Sequence, residues 1–258
     1  MTLKLGWFTA GRGPGSRAMF EHTFAAIDAQ LLDAKIEFVF MHRERGEGGG
    51  SDAFMDRASS LGLPVLNHSS KRFRVEHDGD FAGHRGEYDA QLAALISPYT
   101  TDVDVLAGYL LILSPELVNE RKFVNLHPAL PDGPVGLWQH VIWELIGSRA
   151  AYSGSVVFEV TAELDRGPQI SYASFPLRSG ALTPMWDALG YGPMDGLREQ
   201  FGEKHPLFQA IRNEGVRREP LLLTETLKEM AERAGECPES PIDLTARVDA
   251  ALAVAGSL

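Results

Sequence analysis

Short apolar runs alternate with helical patterns up to about residue 180, and that alternation limits the fold more than any other feature. Residues 3–9 are apolar and run into a glycine-rich turn at 10–17. Met19, Phe20, Phe24, Ile27, Leu31 and Leu32 then recur at helical spacing. Residues 36–41, 63–66, 103–106, 123–126, 155–160 and 169–175 read as further strands. Residues 52–61, 87–96 and 137–146 read as helices, the first closed by Gly62 and the last stopped by Gly147. Ser114 and Pro115 open another helix with a cap and a proline in its first position. Parallel neighbours need crossover connections, which the helices supply. The pattern predicts an α/β fold: a mostly parallel, twisted sheet with helices on both faces. Residues 46–51 and 67–86 read as irregular loops. Beyond residue 180 the pattern turns helical and polar, with candidate helices at 184–189, 197–201, 206–212, 221–234 and 241–258. The expected organisation is a domain over residues 1–180 with a helical C-terminal extension, 181–258, packed on it.

The chain's 258 residues are 44% hydrophobic, enough for a substantial core. Its net charge of −11 and the lack of a dense basic run argue against a nucleic-acid partner. Arg43-Glu44-Arg45 and Lys71-Arg72-Phe73-Arg74 are short and read as solvated loop charge. The single cysteine, Cys237, rules out an internal disulfide and a cysteine-based zinc cluster, and fits a reducing compartment. The first apolar run is too short for a secretion signal, and no window of about 20 apolar residues exists. The expectation is a cytoplasmic protein with no membrane partner and no metal.

Chemistry concentrates at Val124-Asn125-Leu126-His127-Pro128-Ala129-Leu130-Pro131. Pro128 cannot donate to a sheet ladder and restrains His127 before it. Asn125 and His127 therefore sit at a strand's carboxyl end, where open α/β sheets bind ligands, and alternate residues face one side. Asparagine offers a neutral donor that can polarise a carbonyl. Histidine offers a proton acceptor or donor near neutral pH. An Asn-x-His-Pro string is short, and a structural turn would use it as well. Two further stretches join it: Val105-Leu106-Ala107-Gly108-Tyr109 upstream and Glu163-Leu164-Asp165-Arg166-Gly167-Pro168 downstream. Near the N-terminus, Gly13, Gly15, Ser16 and Arg17 precede a helix, whose free amides and dipole suit a phosphate or carboxylate. A plain strand-to-helix turn is the equal alternative. Gly11-x-Gly13-x-Gly15 lacks the spacing of a dinucleotide fingerprint.

Taken in order, Val105-Leu106-Ala107-Gly108-Tyr109, Ile112-Leu113-Ser114-Pro115, Asn125-Leu126-His127-Pro128-Ala129-Leu130, Gly136-Leu137 and Leu164-Asp165-x-Gly167-Pro168 resemble the folate-dependent formyltransferases. The pattern lies nearest to the members that formylate glycinamide ribonucleotide. It is clear over residues 85–178, weaker over 3–66, and does not extend beyond 180.

The resemblance implies a Rossmann-like formyltransferase fold, with 10-formyltetrahydrofolate as co-substrate in one-carbon metabolism and purine biosynthesis. It implies Asn125, His127 and Asp165 as the catalytic set. Asn125 would donate to the oxyanion formed when an amine attacks the formyl carbon, and His127, polarised by Asp165, would stabilise that charge and help move the proton. Folate would meet Arg85, Tyr109, Leu110, Leu111, Ile112, Leu113, Thr161, Glu163, Leu164 and Asp165. Without the resemblance, the apolar 110–113 segment would read as ordinary core. A small, phosphorylated acceptor would meet Gly13, Gly15, Ser16, Arg17, Gly108 and Pro128, and a homodimer fits the same family.

The acceptor contacts depart from the family pattern. Arg17 replaces an asparagine of the phosphate loop, Leu111 an arginine, and Trp138 a histidine, while His140 falls where relatives carry one. The strand Val156-Val157-Phe158-Glu159 lacks the family's histidine. The catalytic set is complete and the acceptor set is not. An amino sugar nucleotide is therefore an alternative acceptor, and water another, which would make the chain a 10-formyltetrahydrofolate hydrolase. A ligand-binding module that keeps the fold without catalysis is the remaining alternative.

Overall fold

Residues 1–163, 165–189 and 194–255 are described by the structure, a computed structural model. The elements in chain order are β1 (Leu3–Thr9), α1 (Pro14–Asp28), β2 (Ala34–Met41), α2 (Gly49–Ser60), β3 (Val65–Asn67), α3 (Ser70–Glu76), α4 (Arg85–Ile96) and β4 (Val103–Leu106). They continue with α5 (Pro115–Glu120), β5 (Phe123–His127), α6 (Trp138–Gly147), β6 (Tyr152–Glu159), β7 (Gln169–Pro176), α7 (Thr183–Leu189), α8 (Met194–Phe201), α9 (Pro206–Glu232), β8 (Ile242–Asp243) and α10 (Thr245–Ala255). The predicted α/β architecture is present. β1 pairs in parallel with β2 and β4, β2 with β3, β4 with β5, and β7 with β8.

Contacts divide the chain into two units. The first holds Met1–Asn125, Phe158–Pro168 and Leu227–Cys237, and the second Leu126–Val157, Gln169–Thr226 and Pro238–Leu258. In the first unit the strand order is β3-β2-β1-β4-β5. Its core includes an aromatic cluster around Phe8, which lies 5.3 Å from Phe123, 5.4 Å from Phe40 and 5.9 Å from Tyr109, ring centre to ring centre. Phe8 comes from β1, Phe40 from β2, Phe123 from β5 and Tyr109 from the turn after β4, and they meet because successive side chains of a strand point to opposite faces. Gly6 is needed where it stands: a Cβ there would meet Asp104 Oδ1 at 2.1 Å. In the second unit α6 buries Val141, Ile142 and Ile146 with Phe208 and Ile211 of α9. Arg212 donates to the buried Glu219 at 2.6 Å and lies 4.6 Å from the centre of the Trp138 ring.

Several local expectations need correction. Residues 67–86 are not all irregular: Ser69 caps α3, its hydroxyl accepting from Arg72 N at 2.9 Å, and Phe73 is buried. A single inward aromatic holds this helix, too little for a periodic signal. The glycine run at 48–50 enters α2, and Gly50 allows close backbone approach, since a Cβ there would lie 2.6 Å from Arg12 O. α1 ends at Asp28, and Gln30 then takes the left-handed conformation, φ 59°, leaving Leu31 exposed. α6 runs through Gly147, and Arg149, φ 53°, makes the left-handed turn instead. The helices expected at 206–212 and 221–234 are one helix, α9, with Pro220 inside it. The helix expected over 241–258 is β8 followed by α10, and residues 256–258 lie outside the described residues.

Candidate active site

β5 ends at His127 because Pro128, next in the chain, has no N–H to continue a ladder. Asn125 stands in register with Leu106 of β4, and His127 is the alternate residue after it. Past Leu106 the backbone bends at Gly108, φ 72°, where a Cβ would meet Ser16 Cβ at 2.7 Å. The small residue expected there thus lets the turn after β4 rest on the first turn of α1. Ala10 N donates to Gly108 O at 3.1 Å, tying the same turn to the end of β1.

The segment after that turn is held at both ends. The Tyr109 ring packs edge-on against Phe8, and the buried Asp89 accepts from Ser114 N at 2.5 Å. Between them Leu111, Ile112 and Leu113 form one wall of a cavity of about 50 Å³. Val160, Thr161, Ala162 and Asp165 form the other wall, and Asn125 also borders it. The enclosed space is far below the roughly 300–1,000 Å³ of a whole-ligand pocket, so it suits the edge of one flat ring.

The loop that carries Asp165 is folded back on β6. Glu159 N donates to Pro168 O at 2.9 Å, and a Cβ on Gly167 would lie 1.6 Å from Glu159 O. Asp165 takes the left-handed conformation, φ 54°. Aspartate is among the few residues that tolerate it, and such conformations cluster at functional sites.

Of the predicted folate residues, Tyr109, Leu111, Ile112, Leu113, Thr161 and Asp165 border this cavity. Leu110 is 66% exposed. Arg85, the first residue of α4, and the exposed Glu163 do not line it, and Leu164 lies outside the described residues. His42, at the end of β2, was not singled out by sequence. It is buried, 5.2 Å from the Tyr109 ring centre at 90°, and burial holds its pKa down at about 4. It is a lone histidine at a strand end, without a motif to mark it.

At the predicted anion loop, Gly13 caps α1 with extended backbone. Ser16 is buried and its hydroxyl donates to Gly13 O at 3.1 Å, which leaves its lone pairs for another donor. Arg17 is exposed, and Gly15 lies in the first turn of the helix.

In the second unit His127 is 8% exposed, and its Nε2 lies 2.9 Å from Pro134 O. A carbonyl can only accept, so Nε2 carries the hydrogen and Nδ1 is the acceptor of the neutral ring. That tautomer can take a proton at Nδ1. Pro128, the next residue, is half-buried.

A family model described as formyl transferase matches residues 15–180. A phosphoribosylglycinamide formyltransferase of Schizosaccharomyces pombe is 30% identical over 169 residues, covering 60% of this chain and 77% of that one. One from Escherichia coli is 38% identical over 174 residues, covering 66% of this chain and 72% of the relative. Among solved structures, glycinamide ribonucleotide transformylase 1 from Symbiobacterium toebii superposes with a TM-score of 0.65 at 18% identity, covering 95% of this chain and 94% of that one.

Proposed function

Because the chain belongs to the formyl transferase family, we propose that it moves a formyl group from 10-formyltetrahydrofolate to the amine of a small phosphorylated acceptor like glycinamide ribonucleotide. One observation carries the proposal. Asn125 and Asp165, far apart in sequence, border one narrow cavity with the apolar segment Leu111 to Leu113. A flat pterin ring edge suits such a slot. The relatives, phosphoribosylglycinamide formyltransferases, favour the acceptor.

In this reaction the acceptor nitrogen bonds to the formyl carbon and the bond from that carbon to the folate nitrogen breaks. One proton leaves the attacking amine, and one reaches the folate nitrogen. Asn125 donates to the oxyanion of the tetrahedral intermediate, an interaction worth about 10²–10³ in rate. His127 accepts at Nδ1, its Nε2–H being held by the Pro134 carbonyl. General-base help of this kind is worth about 10²–10⁴. Asp165 is assigned as the third member of the catalytic set. Tyr109, Leu110, Leu111, Ile112, Leu113, Thr161, Glu163, Leu164 and Arg85 are assigned to folate, and Gly13, Gly15, Ser16, Arg17, Gly108 and Pro128 to the acceptor. Residues 1–180 carry the catalytic machinery and 181–258 form the extension. A cytoplasmic homodimer, with no nucleic acid, completes the reading.

The test is to incubate the protein with 10-formyltetrahydrofolate and a panel of amines, following tetrahydrofolate release. Release should require glycinamide ribonucleotide or a close analogue, and N125A, H127A and D165N should each lower it at least about 10²-fold. Formate released without any amine would make the chain a hydrolase. Unchanged turnover in all three variants would remove the catalytic assignment.

A further inference from the structure

The turn between α3 and α4 gathers three ligand-type side chains that the proposed reaction does not use. His77, Glu87 and His84 each place one nitrogen or oxygen within 4.8 Å of the others'. His77 Nε2 lies 3.3 Å from Glu87 Oε2, and His84 Nδ1 lies 3.5 Å from the same oxygen. Zinc bound tetrahedrally at about 2.0–2.1 Å separates its ligand atoms by about 3.4 Å. Both measured separations match that edge.

The His77 ring is fixed in a way that favours an ion. Its Nδ1 lies 2.8 Å from Phe73 O, and its face stacks on Phe73 at 4.0 Å between ring centres. The carbonyl can only accept, so Nδ1 is the donor, and Nε2 of the neutral ring turns a lone pair toward a carboxylate oxygen. Two acceptors then face each other unless a proton or a metal ion stands between them. A backbone carbonyl on the far ring nitrogen is also the usual support of a histidine ligand. His84, the residue before α4, makes no side-chain cap bond, and its ring centre lies 4.3 Å from that of His77.

We propose that His77, His84 and Glu87 bind one divalent transition-metal ion of zinc-like preference, stapling the end of α3 to the start of α4. Imidazole nitrogen with carboxylate oxygen suits zinc and its neighbours and not magnesium or calcium. Three protein ligands leave the fourth position to solvent. The ion binds the folded turn, so it raises the thermal midpoint by mass action.

Whole protein, freed of metal by chelator and dialysed, is titrated with zinc chloride against a chromogenic zinc indicator, with the thermal midpoint followed in parallel. Wild type should take up one zinc per chain saturably and gain in midpoint. H84A and E87Q should bind at least tenfold more weakly and lose the gain, while their metal-free midpoints match wild type. A metal-free midpoint equal to wild type excludes misfolding as the cause of weaker uptake. Two outcomes overturn the proposal: no saturable uptake, which leaves a proton alone between His77 and Glu87, or uptake equal in wild type and both variants, which places the zinc on other histidines.

Discussion

Arg121 grips Asp104 with two guanidinium nitrogens, Nε at 2.6 Å from Oδ2 and Nη2 at 3.1 Å from Oδ1. Thr101 Oγ1 donates to Oδ1 as well, at 2.9 Å, and the carboxylate is fully buried. Arg121 lies between α5 and β5, and Asp104 lies in β4, so the pair fixes how β5 meets β4 and thereby where Asn125 stands. Removing the arginine leaves a buried charge without its partner. R121L should lose about 3–5 kcal/mol of stability, and adding D104N should recover part of it. Urea unfolding midpoints check this, and a loss below about 1 kcal/mol for R121L would show that the pair does not anchor the strand.

Gly167 controls the aspartate loop, because a Cβ there would lie 1.6 Å from Glu159 O. G167A forces the loop away from β6 and carries Asp165 with it. Formyl transfer should fall by about 10²-fold or more, since a displacement near 1 Å suffices for that. Steady-state kcat/KM measures it, and activity within threefold of wild type would mean that the loop's closure is irrelevant to turnover.

The turn after β4 rests on α1 only because residue 108 is glycine, with φ 72° and 2.7 Å from a would-be Cβ to Ser16 Cβ. G108A should raise the KM for the phosphorylated acceptor on the order of tenfold, the equivalent of the 1–2 kcal/mol that a left-handed alanine costs. An unchanged KM would separate this turn from acceptor binding.

Tyr109 buries a hydroxyl that finds no hydrogen-bond partner among the described residues, while its ring packs against Phe8 and His42. Removing the oxygen keeps the packing and removes an unmet polar group. Y109F should therefore match wild type or exceed it by up to about 1 kcal/mol. Thermal unfolding decides, and a loss of 2 kcal/mol would reveal a bonded hydroxyl.

His42 makes stability depend on pH. Burial first, and then the Arg43 charge, lower its pKa from 6.5 to about 4. Above pH 6.5 the ring is neutral both folded and unfolded, and its contribution is complete. Between 6.5 and 4 only the unfolded chain takes the proton, so stability falls as pH drops, by up to roughly 3 kcal/mol. H42Q should flatten the change in urea midpoint between pH 7 and pH 4.5. Equal slopes in the two proteins would assign the acid sensitivity to other groups.

Several elements whose signal is local are legible in the sequence. β1 and β4 begin and end where their apolar runs do, and Ser114 caps α5 with Pro115 following, its hydroxyl accepting from Leu117 N. These features depend on side-chain periodicity and on backbone groups a few residues apart, which the order of amino acids contains. α3 needed Phe73 to find a core built from β-strands elsewhere in the chain. α9 continues past Pro220, with Leu221 and Leu222 buried after it, although proline alone argues for a break. β8 is two residues long and exists as a strand only through its pairing with Ser171 and Tyr172 of β7. The candidate site divides along the same line. The string Asn125-x-His127-Pro128 and the motif order that marks the family lie in the sequence itself. How closely Gly108 approaches Ser16, and how narrow a cavity Asn125 and Asp165 border, depend on atoms brought together from distant segments, and only tertiary packing sets those distances.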